Sequence, residues 1–307
     1  MSSVEDQLPK SESAEVSALA PQQPAKPDLP WVALAWFSLL LIVTYYPILK
    51  HLVEQWWNDA DVGHGFFVPL VSGYIAWQRR DQLMALQWKP AWWGIGLMVF
   101  GGLQAYIGLL GAELFLQRTA FLETLLGLLL VMGGTALIRE LAFPLLLLPF
   151  MIPIPTVIYN QITFPLQLFA SRVAETLLGW DNIPVLREGN VLVLASQTLS
   201  VAEACSGIRS LLSLSFLALV YAYFFDSKVW MRIALFLGVL PIAIIANAGR
   251  VTITGVLSEH DPELARGFFH ELEGFVIFAI AFAMLYVLHL VISWVYKWKF
   301  EKEAPAV

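Results

Sequence analysis

Long stretches almost without charge alternate with short polar connectors along most of the chain. Apolar runs fall near 31–49, 65–78, 91–110, 119–138, 141–155, 207–225, 229–250 and 273–296. Helices of this kind cross roughly 30 Å of hydrocarbon with about 20 residues. The pattern predicts an all-α polytopic membrane protein with about eight transmembrane helices. The second and fifth runs are short, and the fifth carries Pro144, Pro149, Pro153 and Pro155. Prolines remove helix hydrogen bonds, so the fifth run reads as broken or re-entrant, with seven spans as the alternative count.

The segments outside these runs have their own patterns. Residues 1–30 are rich in Ser, Ala, Glu, Gln and Pro without apolar periodicity, the composition of a disordered tail. With no basic n-region and no clear cleavage site, the first apolar run reads as a signal anchor. Residues 156–178 place Ile158, Ile162, Leu166, Phe169, Val173 and Leu177 at helical spacing. This predicts an amphipathic helix on the membrane surface or on the bundle, with Pro165 bending or breaking it. In IPVLREGNVLVL, two β-prone arms meet at Glu188-Gly189-Asn190, a short β-hairpin. The expected division is a cytoplasmic tail (1–30), a transmembrane domain (31–296, with 156–205 extracytoplasmic) and a cytoplasmic tail (297–307).

Composition agrees: 58% of residues are hydrophobic and 14% charged, with a mean hydropathy of +0.69, beyond the range of soluble domains. A formal charge of −6 gives no footprint for nucleic acid. One cysteine excludes an intramolecular disulfide or a multi-thiolate metal site, and the five histidines lack ligand spacing, so no metal or cofactor is expected. Charge also orients the chain. Arg79, Arg80, Lys89, Arg139, Lys228, Arg232, Lys297, Lys299 and Lys302 lie close to span ends on one side. That side is read as cytoplasmic, with 156–205 facing outward.

The only cysteine, Cys205, lies in VAEACSGIRS, framed by Ala204, Ser206 and Gly207 where a polar stretch gives way to the sixth apolar run. From Cys205 to Arg250 is 45 residues, the length of one descent, a tight turn at Asp226-Ser227-Lys228 and one ascent. Both residues then return to one level. His270 follows 20 residues later as the last span begins. Positive charge and a helix N-terminus favour a thiolate. Cys205 is thus the candidate nucleophile, His270 the general base and acid, and Arg250 the stabiliser of thiolate or oxyanion. Asn247 is a second donor, Arg209 a rival thiolate partner and Ser206 part of the supporting frame. His260 is a rival base beside Glu259 and Asp261, with solvation its expected role. The plain alternatives are a packing cysteine, a snorkelling Arg250 and an interfacial His270. His64 reads as part of a turn with Gly63 and Gly65, or as lining substrate access. The WW pairs at 56–57 and 92–93 read as interface aromatics.

Taken in order, VAEACSGIRS, NAGR at 247–250 and FHELEG at 269–274 resemble the three motifs of the exosortase/archaeosortase family. HGFFVPLVS (64–72) and the outer hairpin extend the similarity over about 31–296. The resemblance implies a bacterial inner-membrane cysteine protease/transpeptidase with its active site facing the periplasm, and maps the family's Cys, Arg and His onto Cys205, Arg250 and His270. Its substrates would be membrane-anchored proteins with a C-terminal sorting signal: a Pro-Glu-Pro-type (PEP-CTERM) motif, a transmembrane helix and a basic cluster. These would be held as a thioester and passed to an amine, lipid or polysaccharide acceptor. Cytoplasmic acids such as Asp226 or Glu140 would help hold the basic cluster, with a solvated loop charge the expected plain role. The alternatives are a transporter, a structural membrane subunit, or a hydrolase without an acceptor.

Overall fold

The computed structural model of the chain describes residues 31–59, 61–201, 207–260 and 268–301. Helix α1 (Trp31–Asn58) is followed by a 3-10 turn (Gly63–Phe66) and helix α2 (Phe67–Gln78). A short α3 (Arg80–Ala85) leads to α4 (Trp93–Leu110) and α5 (Leu114–Glu140). Next come α6 (Ala142–Leu147), a second 3-10 turn (Leu148–Met151) and α7 (Thr156–Trp180). Strands β1 (Val185–Glu188), β2 (Val191–Leu194) and β3 (Thr198–Ser200) precede α8 (Gly207–Phe225), α9 (Val229–His260) and α10 (Phe268–Tyr296). The molecule is a multi-pass α-helical membrane protein.

The span count differs from the expected eight. Among the described residues, five helices are long and apolar enough to cross a membrane, within α1, α4, α5, α9 and α10; the bent pair α6–α7 raises this to six. The 65–78 run forms a 12-residue helix that rises only about 18 Å. The fifth run is broken, as its prolines imply: the chain turns by 86° between Met151 and Thr156, where Pro153 and Pro155 stand. Pro165, by contrast, sits inside a continuous α7.

The first half is organised on α4 and α5. Gly94, Gly101 and Gly108 recur every seventh residue and are all buried on one face of α4. A Cβ at Gly94 would come within 2.6 Å of the Gly127 carbonyl oxygen, and one at Gly108 within 2.9 Å of the Gln117 side chain. The two backbones approach this closely because the seam carries no side chain, the way helices associate in lipid. Gln104 Nε2 donates to Thr119 Oγ1 (2.7 Å) and Gln117 Nε2 to the Gly108 carbonyl (3.0 Å) across the same pair. Helix α1 packs on α5 through Leu41 and Tyr45 against Ala120 and Leu128.

The second half is an antiparallel bundle of α8, α9 and α10 around Leu214, Ala218, Met231, Leu235, Val239 and Leu285. Phe216 of α8 shares a core with Trp56, Met151 and Ile152 and joins the halves. The α8–α9 turn is polar and interlocked. His289 Nε2 lies 3.5 Å from Asp226, and Tyr221 hydrogen-bonds His289 Nδ1 at 2.7 Å. Arg79 donates to Tyr223 (2.9 Å) and pairs with Glu140 at 3.5 Å. The two acids expected to face a substrate's basic cluster are therefore already engaged within the chain.

Helix α9 has 32 residues, about 48 Å, well beyond the hydrocarbon thickness. Its excess length is covered by α7 and the sheet. The hairpin forms where two β-prone arms flank a glycine: Val185 pairs with Leu194 and Glu188 with Val191, and Gly189 takes φ +67° at the turn. A third antiparallel strand, β3, adds to β2. Ala170, Ala174 and Leu178 of α7, Leu192 and Leu194 of β2, Val201, and Ala248 and Val251 of α9 form one small core. The large apolar residues Ile158, Ile162 and Phe169 point outward instead. The α7 helix thus lies on the bundle through its small residues.

Candidate active site

Arg250 and Asn247 lie one turn apart on α9, and both are buried, with 7% and 8% of their surface exposed. Two polar residues at NxxR spacing would ordinarily interrupt a membrane helix. Here they stand where α9 leaves the α8–α10 bundle and meets the small core under the sheet. Ala248 and Val251, on either side of Arg250, belong to that core together with Val201. Asn247 lines a narrow crevice together with Leu166 of α7, Leu211 of α8 and Leu240, Ala243 and Ile244 of α9.

The start of α10 closes the guanidinium side. A Cβ added to Gly274 would stand 3.3 Å from Nη2 and 3.7 Å from Nη1 of Arg250, so the guanidinium lies directly on the bare backbone at Gly274. His270 is one turn earlier on the same helix. Gly274 belongs to FHELEG, and a glycine in an apolar helix gives no chemical signal in a sequence. Thr254 and Ser258, further along α9, are buried. Thr254 Oγ1 donates to the Arg250 carbonyl at 3.0 Å and Ser258 Oγ to the Thr254 carbonyl at 2.7 Å.

The helices on either side of the Asp226 turn are continuous, Gly207–Phe225 and Val229–His260. Measured from the Asp226 turn, α8 rises about 28 Å back to Gly207, and α9 rises about 32 Å to Arg250. Gly207 and Arg250 therefore stand at similar heights. Cys205 and Ser206 lie outside the described residues, as do the side chains of Arg209 and His270. The structure brings together Arg250, Asn247, the backbone start of α10 and Val201. His260 ends α9 with its ring exposed, and its Nδ1 hydrogen-bonds the Val256 carbonyl at 3.0 Å.

The strand segment before Cys205 is firmly held. The Val201 N–H donates to the Asn190 carbonyl (2.9 Å) and Ser171 Oγ to the Gly189 carbonyl (2.9 Å). Gln197 Nε2 donates to Ser258 Oγ at 2.6 Å. The Ser196 N–H and hydroxyl both donate to Glu259 Oε1, at 2.9 and 2.8 Å. These bonds tie the β2–β3 connection to α9 and the β1–β2 turn to α7.

His64 occupies the 3-10 turn before α2 rather than this site. Its Nε2 donates to the Phe150 carbonyl at 3.2 Å. Burial holds its imidazole below the usual histidine range, against the opposing pull of the carbonyls of Phe150 and Asp61.

No curated protein and no solved structure matches the chain. A family model, transmembrane exosortase (Exosortase_EpsH), matches residues 56–287, a stretch that contains α8, α9, most of α10, the sheet and all the motifs described. The chain therefore belongs to the transmembrane exosortase family, a family of membrane-embedded sorting transpeptidases.

Proposed function

We propose that the chain is a cysteine protease/transpeptidase that removes the C-terminal sorting signal of exported proteins at the outer face of the inner membrane. Cys205 is the nucleophile, Arg250 the cationic stabiliser and His270 the proton carrier. The observation that carries this reading is the Arg250 guanidinium lying against Gly274, one helical turn from His270. Val201 supports it from the other side. It packs in the core that flanks Arg250, and the four residues to Cys205 reach at most about 14 Å.

The thiolate of Cys205 attacks the scissile carbonyl, and the carbonyl oxygen takes up the negative charge. The guanidinium stabilises that charge, and in a site shielded from water such stabilisation is a large part of catalysis. The proton held by His270 passes to the departing amine as the C–N bond breaks, leaving a thioester on Cys205. An acceptor amine then attacks the thioester, loses its proton to His270 and releases the thiolate. Asn247 lines the α7–α8–α9 crevice and serves as a second donor; Arg209 and Ser206 flank the nucleophile. The substrate carries a PEP-CTERM-type motif, its own transmembrane helix and a basic cluster.

The test is processing of a co-expressed protein bearing such a signal. Cys205→Ala abolishes cleavage and the full-length substrate accumulates in the membrane. Arg250→Lys keeps the charge but loses the planar fork, and lowers turnover by roughly 10²-fold, the scale of losing one oxyanion donor. Normal processing in Cys205→Ala overturns the assignment.

A further inference from the structure

A second polar feature lies far along the chain from these residues. Between α5 and the α6–3-10 segment is a cavity of about 260 Å³. Phe115, Leu122, Leu145, Leu148, Pro149 and Ile152 form much of its apolar wall. Only two polar side chains reach it, Thr119 and Glu123. The Thr119 hydroxyl is committed: it donates to the Phe115 and Leu116 carbonyls, at 3.0 and 3.2 Å, and accepts from Gln104. Glu123 Oε2 is buried with no hydrogen-bond partner among the described residues. Glu123 stands about 14 Å along the α5 axis from Leu114, inside the membrane-crossing part of the helix. A carboxyl at that depth is costly, and such groups occur where they serve a partner.

We propose that this cavity is a binding site for a lipophilic primary amine, with the ammonium on Glu123 and the hydrocarbon among the leucines. Charge complementarity selects this occupant, since Glu123 is the sole charged group in the lining. An ammonium supplies the donors that Oε2 lacks, in a charge-assisted bond stronger than a neutral one. The volume, just below that of drug-sized pockets, suits a single short alkyl chain. The site is independent of the cleavage chemistry assigned to Cys205 and Arg250.

The experiment is thermal unfolding of the full chain in dodecyl maltoside with n-octylamine, n-octanol or octanoate at equal concentration. Octylamine raises the Tm of the wild type by several degrees more than octanol, and octanoate gives no gain. In Glu123→Gln, which keeps the side-chain shape, the octylamine shift falls to that of octanol. Leu145→Trp, which fills the cavity and leaves Glu123 in place, removes both shifts; it serves also if Glu123→Gln fails to fold. The proposal is overturned if octanoate matches octylamine, if octylamine has no effect on the wild type, or if either variant keeps the full octylamine response.

Discussion

Arg250 and Gly274 act as a pair at the residue scale. Arg250 has 7% of its surface exposed, and its guanidinium keeps its position only if its surroundings are shaped to it; the missing side chain at 274 provides part of that shape. Gly274→Ala adds one carbon 3.3 Å from Nη2, close enough for a flexible guanidinium to give way by a few tenths of an ångström. Gly274→Leu adds branches that drive the guanidinium aside. We expect Gly274→Ala to retain most processing activity and Gly274→Leu to lose on the order of 10²-fold, the cost of about 1 Å of misplacement. Kinetics of signal cleavage, compared with membrane yield and Tm, separate this from a folding defect. Arg250 and Asn247 were visible as candidates in the sequence because polar residues stand out in an apolar run. Gly274 was not, because its contribution is the space it leaves.

For the helices and strands, the sequence was readable where water discriminates and opaque where lipid does not. The hairpin was visible because β-prone arms flank a turn glycine; β3, only three residues long, gives no pattern of its own. Periodicity in α7 identified a helix but not the face it buries. Large apolar side chains gain nothing by leaving lipid for protein, so packing is decided by small residues that let backbones close up. Ala170 and Ala174 are buried, whereas Ile162 and Phe169 face outward. The seven-residue glycine period of α4 carries the same message and could have been counted.

The docking of α2 has a testable pH dependence. His64 joins the turn before α2 to the turn after α6, and burial depresses its folded-state pKa. The unfolded chain then binds more protons than the folded one around the ordinary histidine value of 6.5. Stability from the neutral ring is fully present above that value and is lost as the pH falls through the depressed one. Thermal unfolding between about pH 7.5 and about pH 5 should show a falling Tm, and His64→Gln should flatten the slope.

Taken whole, the molecule has two unlike ends. One holds the Asp226, His289, Arg79 and Glu140 network; the other holds Arg250 under the sheet. The proposed function requires the first end, dense in Lys and Arg, to face the cytoplasm and the cysteine motif to face outward. A membrane-impermeant maleimide applied to intact cells should label Cys205, and pre-treatment should block later labelling in detergent. Labelling only after lysis would reverse the orientation. Helix rise alone gives Gly207 and Arg250 similar heights above the turn, while Cys205 itself lies outside the described residues. The 65–78 run, short already in the sequence, forms a 12-residue helix that does not meet the length of a span.

The bonds from Ser196 and Gln197 to the end of α9 carry a mechanical consequence. The peptide leading to the thiol and the helix bearing the guanidinium are clamped to one frame, so thermal jitter moves them in step. Backbone amides along Val191–Leu194 should therefore exchange with deuterium as slowly as those of α9 around Arg250, well behind the outer turns of α1.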